Sequence, residues 1–149
     1  MTIVLLDAGP LGLLTNPRRS AASLACATWL QTLASAKGRV FVPEIADYEV
    51  RRELLRADKR QGLQRLDQFI AAVEYLPITT AAMRRAAEFW ADARRTGQPT
   101  ADDKALDADV ILAAQVVTLA LPGAVIATTN VGHLSRYAPA ALWTDITSS

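Results

Sequence analysis

The most constraining feature of the sequence is a short apolar run that ends in one carboxylate. Ile3–Leu6 is followed at once by Asp7, and Gly9 and Pro10 come next. Because the run does not alternate with polar residues, it predicts a strand buried on both faces of a helix-covered parallel sheet. Ligands of such sheets bind beyond the carboxyl ends of the strands, so Asp7 is a candidate site residue. An Asp that merely forms the turn before Gly9 explains this stretch equally well.

Further apolar segments alternate with helical patterns along the rest of the chain. One long helix is predicted to begin at Thr79 or Thr80 and to turn four apolar residues inward, namely Met83, Ala86, Ala87 and Trp90. Strands separated by helices favour one parallel α/β domain over residues 1–149, with right-handed crossovers. Strands are predicted at residues 39–42, 75–78, 124–128 and 141–143, and helices at residues 21–36, 44–57, 63–73, 80–96 and 106–119.

The bulk properties exclude several classes of protein. The chain has 149 residues, 51% of them hydrophobic, and a net charge of +1, which neither requires nor excludes a nucleic-acid partner. Cys26 is the only cysteine, so a disulfide framework is excluded and a reducing, cytoplasmic location is expected. The longest apolar stretch, residues 110–127, contains Gln115 and is broken at Pro122, so no membrane span is predicted.

Two more carboxylates stand in unusual contexts. Glu49 lies near the apolar face of the helix after the second strand, and Asp109 lies near the start of the buried helix at 106–119. Glu49 could simply pair with Arg52 or Arg56, and Asp109 and its neighbour Asp107 could simply complement the helix dipole. Taken with the carboxylate after the first strand, however, these residues supply hard oxygen ligands of the kind that Mg²⁺ or Mn²⁺ prefers. Clustered carboxylates repel one another unless a cation neutralises them.

The order and spacing of these motifs resemble those of PIN-domain nucleases. The chain is similar from end to end to the single-domain toxin nucleases of VapBC toxin–antitoxin pairs. This resemblance implies a three-layer α/β/α fold with a parallel sheet ordered 3-2-1-4-5. It also implies Mg²⁺- or Mn²⁺-dependent cleavage of RNA, an antitoxin partner and a homodimer. The motifs are Asp7 after the first strand, residues 43–50 with Glu49, residues 109–114 with Asp109, and residues 128–130 after the fourth strand.

The resemblance further implies the roles of particular residues. Asp7, Glu49 and Asp109 would hold the metal, and Asn130 would occupy the fourth catalytic place beside Asp7, because strands one and four are neighbours in that sheet order. The family usually has an acid in this fourth place, whereas Asn130 is neutral. One negative charge is therefore missing. A second reading follows from it, namely a degenerate PIN domain that binds RNA or a protein partner without cutting.

Basic residues gather near the candidate site. Arg18 and Arg19 lie in the loop that follows the Asp7 segment, and Arg52 and Arg56 follow Glu49 on its helix. A run of charge is often only a solvated face. The functional interpretation is contact with the phosphates of a nucleic acid, which positions the strand without reading its sequence.

Other chemistries lack the residues they need. His133 is the only histidine, and Cys26 sits on an apolar helical stripe, where it is expected to be part of the core. No Gly-rich phosphate loop of the Walker type occurs. A haloacid-dehalogenase-like phosphatase would need a second Asp where Gly9 stands, and a receiver domain would need a Lys in the turn at residues 129–133.

Overall fold

A computed structural model describes residues 1–97, 103–132 and 134–148, with the backbone alone at residues 103 and 104. His133 and most of the polar segment before Asp103 lie outside the described residues. The strands are β1 (Ile3–Leu6), β2 (Arg39–Pro43), β3 (Glu74–Leu76), β4 (Ala124–Thr128) and β5 (Ala140–Leu142). The helices are α1 (Ala8–Thr15), α2 (Ala21–Ser35), α3 (Glu44–Arg56), α4 (Arg60–Ala72), α5 (Thr80–Arg95), α6 (Asp103–Leu119) and α7 (Leu134–Tyr137), with a 3₁₀ turn at Trp143–Asp145.

The strands form one parallel sheet in the order β3-β2-β1-β4-β5, as predicted. The central strand β1 pairs with β2 on one side and β4 on the other, so that Leu5 lies opposite both Phe41 and Ile126. The shorter strands β3 and β5 stand at the edges, and Pro77 follows β3 directly, where the missing N–H of proline is tolerated.

Successive residues of β1 pack into two different helical layers. Ile3 and Leu5 belong to a core cluster that includes residues of α5, α6 and α7, whereas Val4 and Leu6 join a second cluster with residues of α1, α2 and α4. Side chains of a strand point alternately to opposite faces, so a sheet covered on both faces needs apolar residues at every position. The structure is thus three-layered, and β1 lies at its centre.

The inward face of α5 differs in part from the prediction. Ala86 is buried as expected, but Ala87 is exposed, Met83 is 47% exposed and Trp90 is 38% exposed. Ala82 and Phe89 are buried instead. The small side chains on the buried face let α5 approach α6 closely, and this turns the larger apolar residues toward the rim. They line an apolar groove of about 360 Å³ between α5 and α6.

Other apolar side chains consolidate the layer of α2. The rings of Trp29 and Trp143 pack at 5.6 Å, and the Trp29 indole N–H donates to the carbonyl of Ile146 at 2.9 Å, which ties the C-terminal segment to α2. Cys26 is buried, and burial raises the pKa of its thiol to about 12, as expected of a core residue. Within the described residues, no helix is both long and apolar enough to cross a membrane.

Candidate functional site

Asp7 continues the sheet and caps the first helix. Its backbone N–H donates to the carbonyl of Ala127 at 2.9 Å, so the pairing of β1 with β4 extends to this residue. Its Oδ1 accepts from the backbone N–H of Ala8 at 2.7 Å, as an N-cap residue does. Its Oδ2 accepts from the Thr128 hydroxyl at 2.7 Å. The carboxylate is therefore held in one orientation at the carboxyl edge of the sheet.

Thr128 contacts both Asp7 and Asn130 at this edge of the sheet. The buried Thr128 hydroxyl donates to Asp7 and accepts from the backbone N–H of Asn130 at 3.1 Å. The Thr128 hydroxyl therefore links the backbone of the exposed Asn130 to the carboxylate of Asp7. Sequence reasoning treated Thr128 only as part of a motif. The available signal was its place as the polar end of an apolar strand that neighbours β1.

Glu49 lies on α3 and interacts with both other acids. Burial is the largest cause that raises the pKa of Glu49 from its ordinary 4.5 to about 7. The negative charges of Asp7 and Asp109 raise it further, and Arg52 opposes them. The Arg52 Nη2 atom approaches Glu49 Oε2 only at 4.0 Å, so this ion pair is loose. The charges of Asp7 and Asp109, which come from two other segments of the chain, therefore both act on Glu49.

Asp109 stands in the second turn of α6, because the helix begins at Asp103 rather than near Leu106. The predicted alternative, in which Asp107 and Asp109 complement the helix dipole, loses its basis, since that effect is confined to the first turn. Asp107 is exposed and lines the groove beside α5, while Asp109 is half-buried. The two side chains diverge, as their spacing on a helix requires.

The position of α3, and hence of Glu49, depends on a buried amide. Gln115 on α6 is 1% exposed. Its Oε1 accepts from the backbone N–H of Ile45 at 3.4 Å, and its Nε2 donates to the carbonyl of Leu76 at 2.9 Å. One side chain thus satisfies a free N–H in the first turn of α3 and links three elements. Sequence reasoning used Gln115 only to exclude a membrane span.

The carboxylate oxygens at this site suit a hard cation, although they are not arranged as a complete set of metal ligands. Among the described residues, no group of three or more His, Cys, Asp or Glu side chains is placed so as to hold a metal ion directly. Asp7, Glu49 and Asp109 nonetheless offer carboxylate oxygens. Burial is the largest cause of the raised pKa of Glu49, and a cation would relieve the further part that comes from the charges of Asp7 and Asp109. Mg²⁺ commonly keeps several waters and uses only one or two carboxylates, so this chemistry fits a cation held partly through water.

Two of the four predicted basic residues, Arg56 and Arg18, line two cavities, the first of which reaches Glu49. A cavity of about 420 Å³ runs from Glu49 along α1 and α3 to Arg56 and Lys59. A neighbouring cavity of about 650 Å³ is lined by Arg18 and again by Lys59. Arg19 is exposed nearby in sequence, and Arg56 is paired with Glu53 at 2.9 Å. The positive charge therefore borders the acidic edge on the side of α1 and α3.

Fold and geometry together define a three-layer α/β/α protein whose candidate site, at the carboxyl edge of the sheet, is acidic. The sequence profile of the PIN domain family matches residues 4–138. The chain therefore belongs to the PIN domain family. No curated protein sequence gives a significant match to the chain.

Several solved structures share the fold. The chain is similar to VapBC2 from Rickettsia felis bound to a DNA fragment from their promoter, with a TM-score of 0.71, 16% identity, and coverage of 95% of this chain and 99% of that one. It is similar to VapBC-1 from nontypeable Haemophilus influenzae, with a TM-score of 0.70, 17% identity, and coverage of 97% and 100%. It also resembles FitAcB from Neisseria gonorrhoeae, with a TM-score of 0.71, 19% identity, and coverage of 96% and 99%. At these identities the likeness concerns the fold.

Proposed function

We propose that this chain, as one PIN domain over residues 1–149, is a metal-dependent endoribonuclease and the toxin of a toxin–antitoxin pair. The observation that carries the proposal is that the charges of Asp7 and Asp109 both raise the pKa of the half-buried Glu49 in a chain of the PIN family. The purified protein should cleave single-stranded RNA when Mg²⁺ or Mn²⁺ is present, and EDTA should stop the cleavage. A preparation that leaves RNA intact with Mg²⁺ and also with Mn²⁺ would contradict the proposal.

The residues of the site have distinct tasks in this proposal. Asp7, Glu49 and Asp109 would hold a divalent cation, which when bound supplies an activated water and neutralises charge that grows on the scissile phosphate. Thr128 keeps the Asp7 carboxylate in place through its hydroxyl. Asn130 offers an amide oxygen in the fourth place, where it can orient a water without adding charge.

We extend the proposal to location and partners. A buried, unmodified cysteine and an RNA substrate both fit the cytoplasm. The similar structures from Rickettsia felis and Haemophilus influenzae are VapBC complexes, and this supports an antitoxin as the protein partner.

We also propose a homodimer. Trp29 and Trp143 pack against each other within the chain, so the apolar surface that supports the pairing is the exposed one at Met83 and Trp90. Sedimentation at micromolar concentration should give the mass of two 16.1 kDa chains. A single-chain mass throughout that range would refute the pairing.

The basic residues give a prediction about the dependence of binding on salt. Arg18 and Arg19, with Arg52 and Arg56, are proposed to contact phosphates. Replacing both Arg18 and Arg19 by Ala should weaken RNA binding and lower the slope of log affinity against log salt by about 1.4, since each phosphate contact to a single strand contributes about 0.7. Fluorescence anisotropy over a salt series in EDTA measures this slope.

A matched control for this change lies on the opposite layer. Arg84 and Arg85 are exposed neighbours on α5, so their replacement by Ala removes the same charge from another surface. This control should leave the slope unchanged. If both double variants lower the slope equally, the effect is one of net charge, and the phosphate contact proposed for Arg18 and Arg19 is wrong.

A second function is favoured by two observations. The fourth place carries the neutral Asn130, and the acids are not arranged as a ready-made metal site within the described residues. A degenerate PIN domain that binds RNA or a protein without cutting would have these features. Measurements on variants of Asp7 and Asn130 distinguish the two functions.

A further inference from the structure

Helix α3 carries an exposed aromatic side chain beside the acids, and the proposed function gives it no role. Tyr48 directly precedes Glu49 and is 56% exposed. The guanidinium carbon of Arg52 lies 5.0 Å from the centroid of the Tyr48 ring, and Arg52 Nη2 lies 4.0 Å from Glu49 Oε2. A ring, a cation and an acidic centre therefore stand next to one another on one helix.

The other tyrosines of the chain are held differently. The hydroxyl of Tyr75 donates to Asp47 at 2.8 Å, and that of Tyr137 donates to Asp92 at 3.0 Å. Both are half-buried, and the Tyr137 ring stacks on Phe89. Tyr48 instead presents its ring to solvent. An isolated exposed apolar residue is common and needs no explanation, but here it coincides with a stacked arginine at the candidate site.

Unpaired nucleobases are recognised by this combination of groups. A base that is free of pairing stacks on aromatic rings and on arginine planes, while arginine also attracts the neighbouring phosphates. A base inside a duplex already stacks on its neighbours and cannot reach such a ring without being extruded. The ring and the cation would therefore favour single-stranded substrate.

We propose that Tyr48, with Arg52 on its ring, is a stacking platform for an unpaired nucleobase next to the phosphate at the acidic edge. The proposal rests on the proposed function, because it takes RNA as the substrate, and it narrows that substrate to strands with a free base. Tyr48 thus binds the substrate, and the acids act on the adjacent backbone.

The test measures binding in EDTA, where cleavage does not interfere. A short fluorescein-labelled oligoadenylate is titrated with wild type and with Tyr48→Ala, and so is an abasic oligomer with the same ribose-phosphate backbone. Tyr48→Ala should lower affinity for the oligoadenylate by about 5- to 150-fold, the range that loss of one base stack produces. It should leave affinity for the abasic oligomer unchanged.

Two further variants separate stacking from general loss of surface. Tyr48→Phe keeps the ring and should bind the oligoadenylate like wild type. Leu55→Ala removes another exposed apolar side chain from α3, 60% exposed, but no ring, and should also bind like wild type. Thermal unfolding of all variants checks that the fold is intact, as expected for exposed positions.

Several outcomes would overturn the platform. Equal losses on both oligomers would assign the effect of Tyr48→Ala to the backbone, and unchanged binding of both would remove Tyr48 from the site. If sedimentation shows lost self-association while RNA affinity is unchanged, Tyr48 belongs to a protein interface.

The outcome is distinguishable from that of the proposed function. If wild type cleaves RNA in an EDTA-sensitive way but Tyr48→Ala binds oligoadenylate normally, the nuclease stands and the platform is wrong. Binding that depends on Tyr48 in a protein that never cleaves would support the platform and refute the nuclease. A wild type that binds no RNA refutes both.

Discussion

Replacing Asp7 by Asn should abolish EDTA-sensitive cleavage of single-stranded RNA while leaving the fold intact. The change removes one negative charge from the group formed with Glu49 and Asp109, and this weakens both cation binding and water activation. Loss of a residue that merely supports a metal ligand costs about 10- to 100-fold, so loss of a ligand should cost about 100-fold or more. A single-turnover cleavage assay with purified variants measures the effect.

The local structure explains why this variant should fold. Asn can still accept from the backbone N–H of Ala8, since Asn and Asp are equally good N-caps. The Thr128 hydroxyl can accept a hydrogen bond as well as donate one, so it can face the new amide. Thr128→Val provides a graded comparison, because it keeps the β-branched shape but removes the donor that orients Asp7, and it should lose about 10- to 100-fold.

The reverse change at Asn130 decides between the two functions. If Asn130 occupies the vacant fourth place, Asn130→Asp should tighten metal binding by restoring the missing charge. If wild type binds RNA without cleavage and Asn130→Asp creates EDTA-sensitive cleavage, the natural domain is a degenerate binder. Equal cleavage by wild type and Asp7→Asn would refute the metal site itself.

The second large effect concerns stability, because the charged form of Glu49 is disfavoured in the folded protein. Its pKa rises from 4.5 in the unfolded chain to about 7 in the fold, chiefly through burial and then through the charge of Asp7. Between these two values the folded state binds more protons than the unfolded state, so this group makes stability fall as pH rises. The full cost, present above the folded pKa, is at most about 3 kcal/mol, since one pKa unit equals about 1.4 kcal/mol.

Glu49→Gln should remove this cost. At about pH 4, Glu49 is mostly protonated in both the folded and the unfolded protein, so in metal-free buffer the variant should have nearly the same free energy of unfolding as wild type. At about pH 8 its free energy of unfolding should exceed that of wild type by up to about 3 kcal/mol. Urea unfolding at the two pH values gives the difference. Glu53→Gln is a matched control on the same helix, because the Glu53 side chain is 60% exposed. If the free energy of unfolding of Glu49→Gln exceeds that of wild type by the same amount at both pH values, the pKa of Glu49 is not raised in the fold.

The same pair of proteins reports cation binding without any activity assay. A ligand that binds only the folded state raises the free energy of unfolding as its concentration rises. Mg²⁺ or Mn²⁺ should therefore stabilise wild type above about pH 7 and stabilise Glu49→Gln much less. Identical shifts for both proteins would place the cation away from Glu49.

The sequence carried most of the information about the sheet. Ile3–Leu6 is apolar at every position because both faces of β1 are covered, and this alone indicated a central parallel strand. The sheet order, in contrast, came from a resemblance of ordered motifs and was confirmed in the structure. The prediction of the inward face of α5 was partly wrong, because Met83 and Trp90 share a helical stripe with Ala86 and yet are exposed. How closely two helices approach is not encoded in the periodicity of one of them.

By itself, the sequence determined which strand or helix carries each acid, since apolar runs and turn residues are local signals. The tertiary structure decided how those acids are held and what surrounds them. Thr128 reaches Asp7 across 121 positions of sequence, and Gln115 joins α3 to α6 and β3. Burial and the charges of Asp7 and Asp109 raise the pKa of Glu49. Such effects depend on distances between segments that are remote in the chain, and local patterns of polar and apolar residues do not contain those distances.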